Sequence, residues 1–179
     1  ILKVDIGPVV LDAWMIKPIS FDPQKKYPVI FHVYGEPAGS TVQDNWGTGD
    51  NLWHQYLANE LGCIVISVDN RGTKVPRGRD FRKCIYRQIG LLAADDQAAA
   101  AKKIMQTYSF IDTAHVGMWG WSGGGQMTLH GLFRHGDVFK TGIAVSFVAL
   151  QTLYDNVYQE RYMGLPEDNK YGYKEGSPL

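Results

Sequence analysis

The chain has 179 residues, enough for one domain with a sizeable core and too few for two large ones. Hydrophobic residues make up 45% and charged residues 20%, a globular composition that excludes an intrinsically disordered chain. Lys+Arg and Asp+Glu both number 18, so the formal net charge is zero, which argues against a general affinity for nucleic acid or an anionic membrane surface.

The chain opens at Ile1, without Met or a signal-peptide pattern, and reads as a piece of something longer. Residues 9–17 predict a first strand, and Phe21 to Lys26 a turn. Pro28 introduces a second strand, Val29 to Tyr34. After a Gly-rich polar loop from Gly35 to Asp50, Asn51 to Leu61 has helical spacing through Leu52, Trp53, Tyr56 and Leu57, with Gly62 at its end. Cys63 to Val68 is a continuous apolar strand in which Cys63 reads as a buried thiol. With Cys84 in a polar, basic stretch, two isolated cysteines make no disulfide framework. A loop from Asp69 to Arg79 precedes an alanine-rich helix from about Leu91 to Tyr108. A short strand over Val116 to Trp119, a helix reaching to about residue 134 and a buried strand over Thr141 to Val148 complete the pattern. Strands alternating with helices predict an α/β fold, a largely parallel sheet covered on both faces.

The most informative segment is Gly120-Trp121-Ser122-Gly123-Gly124, between that short strand and its helix. A serine on a sharp strand-to-helix turn is a nucleophile elbow, and the turn needs small neighbours because both flanking segments pass close to it. Gly120 and Gly124 supply them. The setting predicts the α/β-hydrolase fold, with Ser122 at the C-terminal edge of a strand.

A serine hydroxyl needs a base, normally a histidine oriented by a carboxylate, and in this fold both follow the serine in the chain. Downstream of Ser122 only His130 and His135 occur. At ~1.5 Å rise per residue, His130 falls about 12 Å along the helix axis from the serine, out of reach. His32, His54 and His115 precede the serine and read as structural. No acidic residue after Thr141 to Val148 follows a further apolar strand. The chain therefore reads as a truncated hydrolase domain over residues 1–179, lacking the final strands and helices and, with them, the acid and base. By itself it is expected to be inactive.

These residues resemble the prolyl oligopeptidase clan of serine peptidases and, within it, the dipeptidyl peptidase IV group. The similarity runs from about Trp14 to Pro178 and is densest in Tyr27-Pro28-Val29, Val33-Tyr34-Gly35, Val68-Asp69-Asn70-Arg71-Gly72, Gly120-Trp121-Ser122 and the specific run from Tyr154 to Pro166. The resemblance implies Ser122 as nucleophile, with the Tyr34 hydroxyl and the backbone N–H of Gly123 as oxyanion donors. It also implies a small pocket for proline or alanine lined by Tyr154, Tyr158 and Val148. The activity implied is release of N-terminal dipeptides through an acyl-enzyme on Ser122, at an extracytoplasmic location or, less in keeping with the group, a cytoplasmic one.

Two departures from the family pattern stand out. Gly123 replaces a common tyrosine and Gln151 replaces a common pocket tryptophan, which predicts a wider pocket. The family's N-terminal β-propeller, whose glutamates bind the substrate's free amino terminus, is not in this chain. An acyl-aminoacyl or prolyl oligopeptidase, an esterase, or a non-catalytic binding protein of the same fold are the alternatives.

The implied partner is a peptide, with no nucleic acid. The basic stretch Arg71 to Arg87 lacks an aromatic ladder and reads as a solvated or interdomain face. No phosphate-loop motif and no metal-ligand spacing occur, and the chemistry requires no metal and no cofactor. No stretch is long enough to span a membrane. A sheet edge left open favours a homo-oligomer.

Overall fold

The computed structural model describes residues 1–45 and 51–179. Six strands form one mixed sheet: β1 (Leu2–Asp5), β2 (Val10–Ile16), β3 (Tyr27–His32), β4 (Ile64–Asp69), β5 (Ile111–Trp121) and β6 (Thr141–Val145). Their spatial order is β1-β2-β4-β3-β5-β6. β4, β3, β5 and β6 run parallel, while β2 pairs antiparallel with both β1 and β4. The helices are α1 (Asn51–Glu60), α2 (Gly78–Lys83), α3 (Leu91–Thr107), α4 (Gly123–Arg134), α5 (Asn156–Met163) and α6 (Lys170–Glu175).

The pleat sorts side chains onto two faces. Phe31 lies in register with Ile66 on β4 and Met118 on β5, and these fully buried side chains share a core with Ala98, Ala101 and Ile104 of α3 and Met127 of α4. The alanine run serves close approach: a helix with small side chains can lie tightly on a sheet of branched ones. His32, one residue on, lies in register with Ser67 and Trp119 on the opposite face. There it packs at ring-centroid distances of 4.8 Å from Trp119 and 4.6 Å from His54 of α1, which itself lies 5.3 Å from Trp14. The two faces are thus an apolar core under α3 and α4 and a tryptophan–histidine cluster under α1.

Several sequence-based boundaries change. The strand expected over Val116 to Trp119 extends back to Ile111. The strand expected to be buried over Thr141 to Val148 stops at Val145 and is an exposed edge, with Ile143 58% exposed. Among the described residues β5 alone flanks it, and its outer groups meet no neighbouring strand. β1 is four residues of mixed polarity, and α2 buries none of its residues, so neither carries a periodic signal. The loop expected to run to Asp50 includes residues 46–50, which lie outside the described residues. Cys63 and Cys84 are both free thiols. No helix among the described residues is long and apolar enough to cross a membrane.

Candidate active site

Ser122 stands at the turn between β5 and α4 with φ 57° and ψ −118°, in the half of conformational space that side chains avoid. Such a conformation costs about 1–3 kcal/mol and persists only where its surroundings impose it. Two hydrogen bonds do so: the Ser122 N–H donates to the Val145 carbonyl at 2.9 Å, and its own carbonyl accepts from the Gln126 N–H at 3.0 Å. The flanking glycines are steric necessities. A Cβ on Gly120 would lie 2.5 Å from the carbonyl oxygens of both Gly124 and Val33, and one on Gly124 would overlap the Val33 carbonyl. The strand end, the elbow and the start of α4 therefore press directly on the end of β3.

That contact brings Tyr34 to Ser122. The two residues share an open cleft of about 470 Å³ whose walls include His32, Thr41 and Trp121. The turn carrying Tyr34 is held from below: Gly35, at φ 80°, sits against Met127, and its carbonyl accepts a hydrogen bond from the buried Asn70 carboxamide at 3.0 Å. Asn70 in turn accepts from the Gln97 amide of α3 at 2.9 Å. Asp69 fixes the next part of the wall, accepting from the backbone N–H of Thr41 at 2.8 Å and of Val42 at 3.1 Å. Burial first, then the Glu36 carboxylate and Tyr154 and Tyr162, push the Tyr34 hydroxyl up to about 12, so it stays protonated and able to donate. The Gly123 N–H lies in the first turn of α4, where backbone donors have no intrahelical acceptor and the helix dipole favours negative charge.

The tyrosines from 154 onward gather beside this turn. Asp155 caps α5 by accepting the Tyr158 N–H at 2.8 Å. The helix then sets Tyr154 and Tyr158 edge to face at 5.6 Å, and Tyr158 and Tyr162 at 4.9 Å. The Tyr158 hydroxyl donates to Oε2 of Glu36, a residue only 6% exposed. Burial raises the Glu36 carboxyl to about 6, against the lowering effect of that hydrogen bond, and burial together with Glu36 raises the Tyr158 hydroxyl far above its ordinary value. Neither Glu36, Asn70 nor Tyr162 stands out in sequence as part of a site. Glu36 is buried between the start of α4, at Gly123, and Tyr158 of α5, contacts distant in the chain.

The remaining residues singled out in sequence fall into two groups. Val148 is half-buried in the loop after β6. Gln151 is buried and turned toward the C-terminal segment, its amide donating to the Gly176 carbonyl at 3.1 Å and its Oε1 accepting from Gln159. That side chain belongs to an internal polar network. The histidines after the serine are committed elsewhere: buried His130 meets the Gly176 carbonyl at 2.9 Å, and His135 meets Asp95 at 3.0 Å. The basic segment after Arg71 lines a separate cleft of about 780 Å³ with Lys74, Arg79 and Arg161. No group of three His, Cys, Asp or Glu residues placed to hold a metal occurs among the described residues.

Comparison with known proteins bears on this geometry. Residues 49–179, which include the elbow and the tyrosines, match the Prolyl oligopeptidase family. The chain belongs to that family. It is 43% identical over 176 residues to a probable dipeptidyl-aminopeptidase B of Penicillium rubens, covering 98% of this chain and 19% of that protein. It is 36% identical over 181 residues to the human prolyl endopeptidase FAP, covering 100% of this chain and 23% of that protein. The crystal structure of Porphyromonas gingivalis dipeptidyl peptidase 4 superposes with a TM-score of 0.91 at 43% identity, over 99% of this chain and 24% of that one. The fold is that of an α/β-hydrolase domain, and the chain spans less than a quarter of the length of each of these relatives.

Proposed function

We propose that this chain carries the nucleophile, oxyanion and pocket residues of a serine dipeptidyl peptidase. The observation that supports this most is the strained Ser122 turn, pressed against the β3 end that carries Tyr34, within a family of peptidases. A backbone held at φ 57° is costly, and a purely structural turn would relax it with glycine.

In the proposed reaction Ser122 Oγ attacks the carbonyl carbon of the second residue of a peptide while its proton passes to a base. The oxyanion is held by the Gly123 N–H and the Tyr34 hydroxyl, each such donor being worth ~2.7–4 kcal/mol of barrier. The amine leaves with that proton, and water then hydrolyses the ester on Ser122 by the reverse sequence. Tyr154, Tyr158 and Val148 border the pocket for the second residue, with proline or alanine as the compact side chains that fit. The acid and base come from residues outside this chain, which is inactive by itself; the commitment of His130 and His135 to other partners supports that reading.

The test is substrate profiling of the full-length gene product. It should release dipeptides from X-Pro and X-Ala anilides and leave N-blocked analogues intact. Turnover of N-blocked peptides at comparable kcat/KM would favour an endopeptidase or acyl-aminoacyl peptidase instead.

A further inference from the structure

Gly123 and Glu36 compete for one volume. A Cβ on Gly123 would lie 2.6 Å from Glu36 Oε1 and 2.7 Å from Glu36 Cγ, inside contact distance. Gly123 is helical with an ordinary φ, so no backbone requirement explains glycine there; the Glu36 side chain does. Glu36 reaches this place from the turn after β3 and is anchored at its far end, where Oε2 accepts the Tyr158 hydroxyl. Its other oxygen, Oε1, meets no hydrogen-bond donor among the described residues, and it is the oxygen nearer Gly123. A carboxyl with one hydrogen-bonded oxygen and one without a bond, against the residue that follows the nucleophile, keeps acceptor capacity beside the elbow.

Building on the peptidase reading above, we propose that Glu36 is a specificity-determining residue: it occupies the space a side chain at position 123 would fill, fixes Tyr158, and presents Oε1 as a polar wall of the substrate pocket. An aromatic or aliphatic wall would reward only apolar side chains. A carboxyl wall also accepts a hydrogen bond from a small side chain that carries a donor, so the class favoured is a compact residue, serine or threonine, alongside alanine and proline. An acceptor left unpaired by an apolar substrate is a loss that a donor-bearing one avoids.

The experiment uses the full-length gene product and two readouts. The first is thermal stability of Gly123→Ala, Glu36→Gly and the double variant. Gly123→Ala alone should lower Tm by about 3–10 °C, as overpacking does in a domain of this size. The same change on the Glu36→Gly background should cost little, because the volume is free. Equal losses on both backgrounds would overturn the steric pairing. The second readout is kcat/KM for Ala-Ser, Ala-Ala and Ala-Pro anilides in wild type, Glu36→Gln and the near-isosteric Glu36→Met.

Glu36→Met should lower the serine-to-alanine ratio by about 10-fold, whereas Glu36→Gln, which keeps an acceptor, should retain most of it. A ratio unchanged in Glu36→Met would overturn the specificity role, since a purely structural Glu36 would depress all three substrates together. Loss of labelling at Ser122 by a fluorophosphonate in the wild type would instead sink the peptidase reading, and the specificity role with it. The stability cycle would still report on the steric pair.

Discussion

The Asn70 carboxamide donates to the Gly35 carbonyl at 3.0 Å and so ties the turn after β4 to the turn that carries Tyr34. Asn70 is fully buried, donates a second bond to the Arg71 carbonyl at 2.7 Å, and accepts from Gln97. A chain of hydrogen bonds thus runs from the α3 core helix to the residue that follows the proposed oxyanion donor Tyr34. Such a link limits how far the Tyr34 hydroxyl drifts from the position where negative charge would form.

Asn70→Ala should therefore destabilise the fold by about 1–3 kcal/mol, the cost of leaving buried partners unmet. It should also lower kcat more than it raises KM, because Tyr34 is misplaced without any substrate contact being removed. Urea melts and steady-state kinetics of the full-length gene product check both. An Asn70→Ala protein with normal kcat would show that Gly35 keeps its position without the link.

The elbow predicts an inverse relation between stability and reactivity at one residue. Ser122→Gly should be more stable than Ser122→Ala by about 1 kcal/mol, because glycine adopts φ 57° without the penalty alanine meets there. Gly124→Ala should cost about 3 kcal/mol or more through overlap with the Val33 carbonyl. Denaturant titration of the three variants suffices, and equal stability of the two Ser122 variants would contradict a strained turn.

Two buried groups shape the pH dependence in opposite senses. The Glu36 carboxyl is raised from 4.5 to about 6, so the folded state holds its proton more tightly than the unfolded chain. That contribution is fully present below pH 4.5 and is lost as the pH rises to about 6, a change of about 2 kcal/mol. Burial, with His54 nearby, lowers His32 from 6.5 to about 3, and its contribution is present above pH 6.5 and lost as the pH falls toward 3. Glu36→Gln should remove only the first effect. Its stability relative to wild type should improve between pH 4.5 and pH 6.5, and a difference that stays flat across that range would contradict the assignment.

Much of this was legible in the sequence, for physical reasons that differ by residue. The elbow shows because Gly120 and Gly124 sit at fixed offsets from Ser122, and the structure explains both by overlap with Val33 and with each other. The core strands show because Ile64 to Val68 is buried on both faces and so is continuously apolar. Helix α5 was not legible: its apolar residues make no stripe, and only the Asp155 cap marks its start. Glu36 was hidden for a related reason. Its burial depends on α5 docking over a turn 122 residues earlier in the chain, a relation no local pattern encodes. The exposed face of β6 was misread because apolar composition there looks the same whether or not a further strand covers it.

The most direct measurement is fluorophosphonate labelling of the full-length gene product beside its Ser122→Ala and Tyr34→Phe variants. Rapid labelling that maps to Ser122, absent in Ser122→Ala and slowed by about 100-fold or more in Tyr34→Phe, is the predicted result. Labelling at another residue, or a Tyr34→Phe rate equal to wild type, would contradict the pairing of Ser122 with Tyr34 on which the proposed function rests.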